Sequence, residues 1–505
     1  MRFSLICVLL WATTAYCQWN TNMKGNREVM VHLFEWKWSD VAKECENFLG
    51  PELYGGVQVS PPSEHREVWN PHRPWWERYQ PVSYQLISRS GDRNAFIDMV
   101  NRCNAKDVLI YPDLVINHMT GDGVNGVGSG GSSFNTRNSA RDFPGVPYSR
   151  PDFNDDICDR NIGDYNNEWE VRNCRLLGLV DLKLSKSYVR DKVVDFANDM
   201  INIGVAGFRV DACKHMWPDE LKEIYDRFNN LKTPTFPSGS RPFIVQEVID
   251  QGGEPIKATD YTHLGRVTEF NYGLELSNCF LGYNQLRWLA NWGEPWGLLN
   301  RNDALAFIDN HDNQRGHGGG GEILTHKQAR EYKMAVEFML AHDYSVPRVM
   351  SSYYFTDTEA GPPSNPDGST KDVVCFGEWV CEHRWRQIAA MVWFRRAAFG
   401  TGVDNWWDNG ENGGNNQIAF SRGTKAFIAI NGDSWTMNAS INTGLPGGSY
   451  CNLIVADYNS GSRSCTDVQQ NGTPHIVTVS GNGWASINIP ANSDPVVAIH
   501  VEATL

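Results

Sequence analysis

Short runs of core-type residues alternate along most of the chain with stretches whose apolar positions recur at helical spacing. Val29-Met30-Val31-His32-Leu33-Phe34 precedes a helix predicted over residues 39–49. Gly56-Val57-Gln58-Val59 is followed, after a long loop, by a helix over 93–105, and Val108-Leu109-Ile110-Tyr111 opens a third strand. Over 188–204, Val189, Val193, Phe196, Ala197, Met200 and Ile201 fall on one helical face. Segments 207–210, 243–246, 266–270, 304–308 and 348–353 read as five more strands, with helices over 325–342 and 383–398. Eight short strands, most with an amphipathic helix behind them, indicate an α/β chain folded as a (β/α)8 TIM barrel rather than an open sheet.

Two stretches break the alternation. Residues 117–185, after the third strand, are rich in Gly, Ser, Asn and Asp. A structureless loop of that length is improbable in a compact domain, so this is expected to be an inserted irregular subdomain, pinned by Cys158 and Cys174. Beyond a turn-rich link over 408–416 the helices cease. Short apolar runs at 419–420, 426–430, 452–455, 475–479 and 495–499, separated by Gly/Asn/Ser turns, predict a C-terminal antiparallel β-sandwich. The expected boundaries are 1–17 for a leader, 18–116 and 186–411 for the barrel, 117–185 for the insertion and 412–505 for the sandwich.

The leader is read from Arg2 followed by an apolar run too short to span a bilayer, with Ala15 and Cys17 as small residues ahead of Gln18. A secreted, extracellular product follows. With 505 residues the chain exceeds one ordinary core, and its formal charge of −14 without a basic run argues against a nucleic-acid partner. No later run is long enough for a membrane helix, and a monomer is expected. Removing Cys7 and Cys17 with the leader leaves ten of the 12 cysteines in an oxidising compartment. Cys158 and Cys174, Cys375 and Cys381, and Cys451 and Cys465 are close in sequence, and Cys45 and Cys103 lie on two successive predicted helices. Cys213 and Cys279 are left unassigned, with buried free thiols as one reading, since sequence alone does not determine connectivity. The 19 Trp suit a protein that stacks on sugar faces, but cores also use tryptophan, and composition does not choose.

Candidate chemistry sits at strand ends. Gly207-Phe208-Arg209-Val210 ends on Asp211, Phe243-Ile244-Val245-Gln246 on Glu247, and Leu305-Ala306-Phe307-Ile308 runs on to Asp309-Asn310-His311-Asp312. A single aspartate at such a turn reads as a helix cap. Three acids delivered to the same end of one sheet are another matter, because a carboxylate cluster is expensive to assemble and seldom needed for folding. Arg209, two residues before Asp211 and so on the same strand face, is placed to favour its ionised form. Gly316-His317-Gly318-Gly319-Gly320-Gly321, directly after an acid-bearing strand, reads as a mobile loop at the site.

Four stretches, Asp113 to His118, Gly207 to His215, Val245 to Val248 and Phe307 to Asp312, resemble in order and spacing the signature regions of the α-amylase family of glycoside hydrolases. Val31 to Trp36, Trp75 to Tyr84 and Arg348 to Tyr353 narrow the resemblance to the animal, chloride-dependent members, from about Arg27 to the end of the chain. Ile87 stands where vertebrate pancreatic members usually have a cysteine, which implies one fewer disulfide, and Cys213 where they usually have serine.

The resemblance implies a secreted endo-hydrolase of α-1,4-glucosidic bonds in starch, glycogen and maltooligosaccharides, acting with retention. Asp211 would be the nucleophile, Glu247 the general acid/base and Asp312 the third acid. Sugar contacts are implied for Trp75, Trp76, Tyr79, Gln80, His118, Tyr165, Lys214, His215, Ile249, His311 and His317. One calcium is implied on the Asn117 and Asp181 side chains and the Arg172 and His215 carbonyls, and one chloride on Arg209, Asn310 and Arg348. The Asn/Asp-rich insertion suits oxygen ligands, although no EF-hand or zinc spacing occurs. An inactive carbohydrate-binding relative should have lost one of the three acids, and an exo-acting α-glucosidase would more often close one end of the cleft.

Overall fold

The computed structural model describes residues 18–505, so the leader expected over 1–17 lies outside the described residues. Eight parallel strands close a barrel in sequence order: Met30–Leu33, Gly56–Val59, Leu109–Leu114, Gly207–Val210, Phe243–Gln246, Arg266–Thr268, Ala304–Ala306 and Val346–Ser351. Closure is made by the last strand on the first, with Met30 opposite Arg348 and Leu33 opposite Ser351. Nearly every strand position is buried, as expected where helices cover the outside and side chains fill the inside, and this is why the strands read as short continuous apolar runs. The fourth and fifth strands approach so closely that a Cβ on Gly207 would lie 2.1 Å from the Phe243 carbonyl oxygen.

All five predicted helices are present, with altered ends. The one expected over 39–49 is an α-helix over Trp38–Glu44 that widens into a π-helical turn over Cys45–Leu49. At that turn Cys45 is joined to Cys103 of the next helix, Arg93–Asn104. Residues 266–270 are not all strand: the strand stops at Thr268, Glu269 accepts a hydrogen bond from the Asn271 amide (3.0 Å), and an unanticipated helix runs over Phe270–Phe280. Cys158–Cys174, Cys375–Cys381 and Cys451–Cys465 are also bonded, while Cys213 and Cys279 are free and buried.

After the third strand the chain makes two small antiparallel pairs, His118–Gly121 with Leu179–Asp181 and Asn125–Val127 with Ser133–Asn135, and a short helix over Glu168–Asn173. The C-terminal domain is two four-stranded antiparallel sheets with a further two-stranded pair, Ala456–Asn459 and Ser464–Asp467. One contains Val403–Asn409, Gly414–Arg422, Ala426–Asn431 and Val496–His500; the other contains Met437–Asn442, Trp484–Ile489, Ile476–Val479 and Gly448–Cys451. The stretch 408–416 is therefore no linker but the hairpin between the first two strands, and this sheet begins ahead of the expected boundary at 412. Residues 452–455 form a buried turn instead of a strand. Asn452 shapes it: its side-chain oxygen accepts from the amides of Ile454 (3.3 Å) and Ala498 (3.0 Å), and its amide donates to the carbonyls of Pro474 (2.9 Å) and Val496 (3.2 Å).

The domains share a hydrophobic core, in which Phe420 of the sandwich packs edge-on against Phe338 of the helix Ala329–Ala341. Asp494 bonds Lys333 and the Gln387 amide (2.7 Å), from two different barrel helices, and Arg422 donates to the Ala341 carbonyl (2.6 Å). Among the described residues no helix is long and apolar enough to cross a membrane.

Candidate active site

The barrel interior is polar toward the ends of its strands. Gln58 donates to Asp113 Oδ1 (2.6 Å), Tyr79 donates to Asp113 Oδ2 (2.8 Å), and Arg348 donates to Gln58 Oε1 (2.7 Å). Arg209 lies among the acids: its Nη1 donates to Asp211 Oδ1 (2.5 Å) and to Asp113 Oδ2 (3.3 Å), while its Nη2 bonds Glu247 Oε1. One guanidinium thus holds three carboxylates from three adjacent strands.

The backbone helps to set this geometry. Ala212, directly after Asp211, has φ 52 and ψ 34, a left-handed conformation uncommon for alanine. The turn presents its N–H to Glu247 Oε2 at 2.9 Å. On the seventh strand's continuation, Asn310 Oδ1 accepts from the amides of Asp312 (3.0 Å) and Asn313 (2.8 Å), which fixes the turn that carries Asp312. Gly318 packs over that acid at φ +61, where an added Cβ would sit 2.8 Å from Asp312 Cβ.

Burial dominates the electrostatics. It pushes the Asp211 carboxyl up to about 8; Arg209 opposes the shift, and Glu247, Asp113 and Asp312 add to it. Asp312 is pushed up to about 7 by burial and then by Glu247, against Arg209 and Arg315. The pull of Arg209 expected from sequence is present, but desolvation and the neighbouring carboxylates outweigh it, so Asp211 and Asp312 retain protons near neutrality. The imidazoles around it are neutral there: burial depresses His118 and His215 to about 4 and His311 well below its usual value.

Above the acids opens a cavity of about 790 Å³. Every residue singled out from sequence as catalytic or sugar-contacting lines it: Asp211, Glu247 and Asp312, with Trp75, Trp76, Tyr79, Gln80, His118, Tyr165, Lys214, His215, Ile249, His311 and His317. Tyr79 and His311 stack face to face with centroids 5.1 Å apart. Lys214 donates to the Ile249 carbonyl (2.8 Å) and sits 5.7 Å from the Tyr165 ring centroid. Sequence reasoning missed Glu359, on the loop after the eighth strand, which joins two sides of the mouth: Trp76 Nε1 donates to its Oε2 (2.5 Å) and His317 Nε2 lies 3.4 Å from its Oε1. Gln251, also missed, clasps the glycine run by accepting from the Gly320 amide (2.6 Å) and donating to the Gly320 carbonyl (3.1 Å). Neither lies in a periodic segment or ends an apolar run, so no signal marked them. Asp113 and Gln58 had one, since polar residues inside buried strands need partners.

The residues suggested for ions meet conditions that an ion would relieve. Asp181 is buried, its carboxyl pushed well up by desolvation; the Asn154 amide bonds it at 2.6 Å, and Glu220 and Asp155 add negative charge nearby. His118 pairs with Asp181 across the two strands, and the Asn117 carbonyl accepts from the Leu182 amide (3.0 Å). His215 is tied to the Glu168–Asn173 helix through the Val171 carbonyl (3.0 Å), which brings Arg172 to the same corner. At the other place, burial and then the charge of Arg209 push Arg348 down to about 10, and both ring nitrogens of buried His32 lack a hydrogen-bond partner. Two guanidiniums and an unsatisfied imidazole, close enough that the charges depress the protonation of Arg348 and His32, are surroundings that suit an anion.

Residues 73–243 match the family model described as the α-amylase catalytic domain, and residues 407–502 match the α-amylase C-terminal all-beta domain. Across 97% of its length the chain is 52% identical to an α-amylase of Oryzias latipes, covering 98% of that protein. It is 51% identical to an α-amylase of Pecten maximus, over 96% of this chain and 94% of that one. The chain belongs to the α-amylase family. It is a glycoside hydrolase of that family, with the closed barrel and all-β C-terminal domain its members share. The crystal structure of wild-type α-amylase I from Eisenia fetida superposes with a TM-score of 0.90 at 50% identity, covering 95% of this chain and 98% of that one. A mutant of the same α-amylase solved with maltohexaose gives a TM-score of 0.90 at 51% identity, covering 94% of this chain and 97% of that one.

Proposed function

We propose that the protein is a secreted endo-acting α-amylase that cleaves α-1,4-glucosidic bonds in starch, glycogen and maltooligosaccharides with retention, using Asp211 as nucleophile, Glu247 as general acid/base and Asp312 as the third acid. The observation that carries this reading is the shared guanidinium: Asp211 and Glu247 bond the two terminal nitrogens of Arg209 at the floor of an aromatic-lined cleft. That arrangement suits the separation of about 5 Å that a retaining pair needs. Asp211 in its carboxylate form adds to the anomeric carbon as protonated Glu247 gives its proton to the departing oxygen; water, deprotonated by Glu247, then releases the sugar and restores the Asp211 carboxylate. Both Glu247 oxygens accept hydrogen bonds, from Arg209 and from the Ala212 amide, which hold the carboxyl in place while each oxygen keeps a further lone pair for the proton. Neutral His215 and His311 offer ring nitrogens to sugar hydroxyls, His118 lines the cleft with its own nitrogens on Asn117 and the Tyr79 carbonyl, and Trp75, Trp76 and Tyr79 offer stacking faces. The maltohexaose bound to the Eisenia relative supports a linear α-glucan in this cleft.

A time course on soluble starch tests the reading: viscosity and iodine colour should collapse before much reducing sugar accumulates, and NMR should show the α-anomer formed first. Initial β-anomer would refute retention, and early release of only glucose or maltose would refute endo action.

For calcium, the Asn117 and Asp181 side chains and the Arg172 and His215 carbonyls would form the site, and the ion would supply the positive charge that Asp181 lacks. A ligand at a thousandfold excess over its dissociation constant adds about 4 kcal/mol. Exhaustive chelation should therefore lower the melting temperature by several degrees and reduce activity, and an unchanged melting curve would count against the site.

For chloride, Arg209, Asn310 and Arg348 would hold the anion, which supplies a negative charge between two guanidiniums. Arg348→Gln removes one of those charges and its anion contact. The native enzyme should be nearly inactive without chloride and recover with it, whereas the variant should respond weakly while keeping appreciable chloride-free activity. Turnover against chloride at several pH values decides it; a native enzyme indifferent to chloride would show the assignment wrong.

A further inference from the structure

We propose that Asn438 carries an N-linked glycan, and that this glycan covers an otherwise open sheet edge of the C-terminal domain. The proposal rests on the reading that the chain enters the secretory pathway. Asn438-Ala439-Ser440 and Asn471-Gly472-Thr473 both have the acceptor pattern, Asn followed two residues later by Ser or Thr. Their surroundings differ. Asn438 and Ser440 are exposed on the strand Met437–Asn442, and neither side chain makes a hydrogen bond among the described residues. Asn471 is folded in: its side-chain oxygen accepts from the Thr473 amide (3.0 Å), and its side-chain nitrogen is buried. Thr473 is 3% exposed, donates to the Asp494 carbonyl (3.1 Å) and accepts from the Asn492 amide (2.9 Å). A sugar on Asn471 would break the turn that places Asp494 against the barrel. A sugar on Asn438 would point into solvent.

The sheet around Asn438 gives the glycan a physical task. None of its four strands contains a Lys, Arg, Asp or Glu. Its outer face sets Asn438 opposite Asn488, Ser440 opposite Ser486 and Asn442 opposite Trp484, with Trp484 46% exposed. One edge strand, Gly448–Cys451, is covered by the chain's own end, where the Cys451 amide donates to Ala503 and the Leu505 amide to Ser449 (both 2.9 Å). The other edge strand is Met437–Asn442, and no such backbone bond covers its outer side among the described residues. An uncharged open edge is a template for pairing with another chain, which proteins normally block with charge, proline or a covering segment. A bulky hydrophilic sugar at Asn438 would do the same.

The reaction needs a polyprenyl-diphosphate-linked oligosaccharide and the transferase of the secretory lumen. The Asn438 side-chain nitrogen forms a bond to the anomeric carbon of the first sugar as the bond from that carbon to the diphosphate oxygen breaks. The diphosphate leaves with the electron pair, and the nitrogen loses one proton to a base.

The test is expression of the full chain, leader included, in insect cells, followed by peptide mass spectrometry after amidase release of glycans in heavy-oxygen water. Isotopically labelled conversion is expected at Asn438 and not at Asn471. Asn438→Gln and Ser440→Ala should each remove the glycan and Ser440→Thr should keep it, with starch hydrolysis unchanged in all three. Light scattering should show the two unglycosylated variants associating at lower concentrations than the parent. An unmodified Asn438 in protein recovered from the medium overturns the proposal and leaves the secretory reading standing. A chain kept in the cytosol with residues 1–17 attached overturns both. A glycan without the difference in association overturns the shielding role alone.

Discussion

Asp211→Asn should reduce turnover on starch on the order of 10⁴-fold or more, yet melt no earlier than the parent at pH 8. The amide can keep the bond that Asp211 accepts from Arg209, but it cannot form the covalent intermediate. Stability should move the other way because burial raises the folded-state pKa of Asp211 to about 8, from an unfolded value of about 4. Across that window the folded chain holds a proton that the unfolded chain has released. Stability from this group is therefore complete below about pH 4 and is lost as pH rises toward 8. A neutral side chain escapes that loss. Turnover measured beside melting temperature at pH 5 and pH 8 checks both halves: near-parental turnover would remove Asp211 from the chemistry, and an earlier melt at pH 8 would show that ionised Asp211 stabilises the fold.

Arg209→Met should be the most damaging single change to stability in the barrel. It leaves Asp113, Asp211 and Glu247 buried without the guanidinium that bonds all three, and removing one partner of a buried ion pair costs about 3–5 kcal/mol. Asp113 and Asp211, whose carboxyls burial already raises against the pull of Arg209, would hold protons to still higher pH, so the loss should be greatest in alkali and shrink as pH falls toward 4. Melting curves across pH measure this, and a deficit independent of pH would mean that Arg209 acts through packing alone. Activity should fall with it, since the guanidinium sets the relation between Asp211 and Glu247.

The site was more legible in the sequence than the elements around it. Asp211 and Glu247 each end a short apolar run and Asp312 follows one closely, a pattern that survives any error of a residue or two in strand ends. The helix Phe270–Phe280 was invisible because Glu269 is not a preferred cap residue and its sequence includes Asn, Gly, Ser and Cys, all poor or neutral helix formers; tertiary contact decides it, with Gly273 packed against the Ile308 carbonyl. Residues 452–455 read as a strand because Leu453, Ile454 and Val455 are apolar, but one buried asparagine bends them into a turn. Glu359 had no signal at all, since its meaning comes from Trp76 and His317 reaching it from distant loops.

The bonds from Asp494 to Lys333 and Gln387 and the packing of Phe420 on Phe338 bear on how the chain comes apart. A module hung on a flexible tether melts independently of its neighbour, whereas here the sheet that begins at Val403 completes the burial of the barrel's last two helices. The catalytic barrel and the sandwich should thus unfold as a single cooperative unit: a chain cut before residue 403 would lose more than an accessory, because it would expose the apolar backs of the helices that hold the seventh and eighth strands, and with them Asp312 and Arg348, in place.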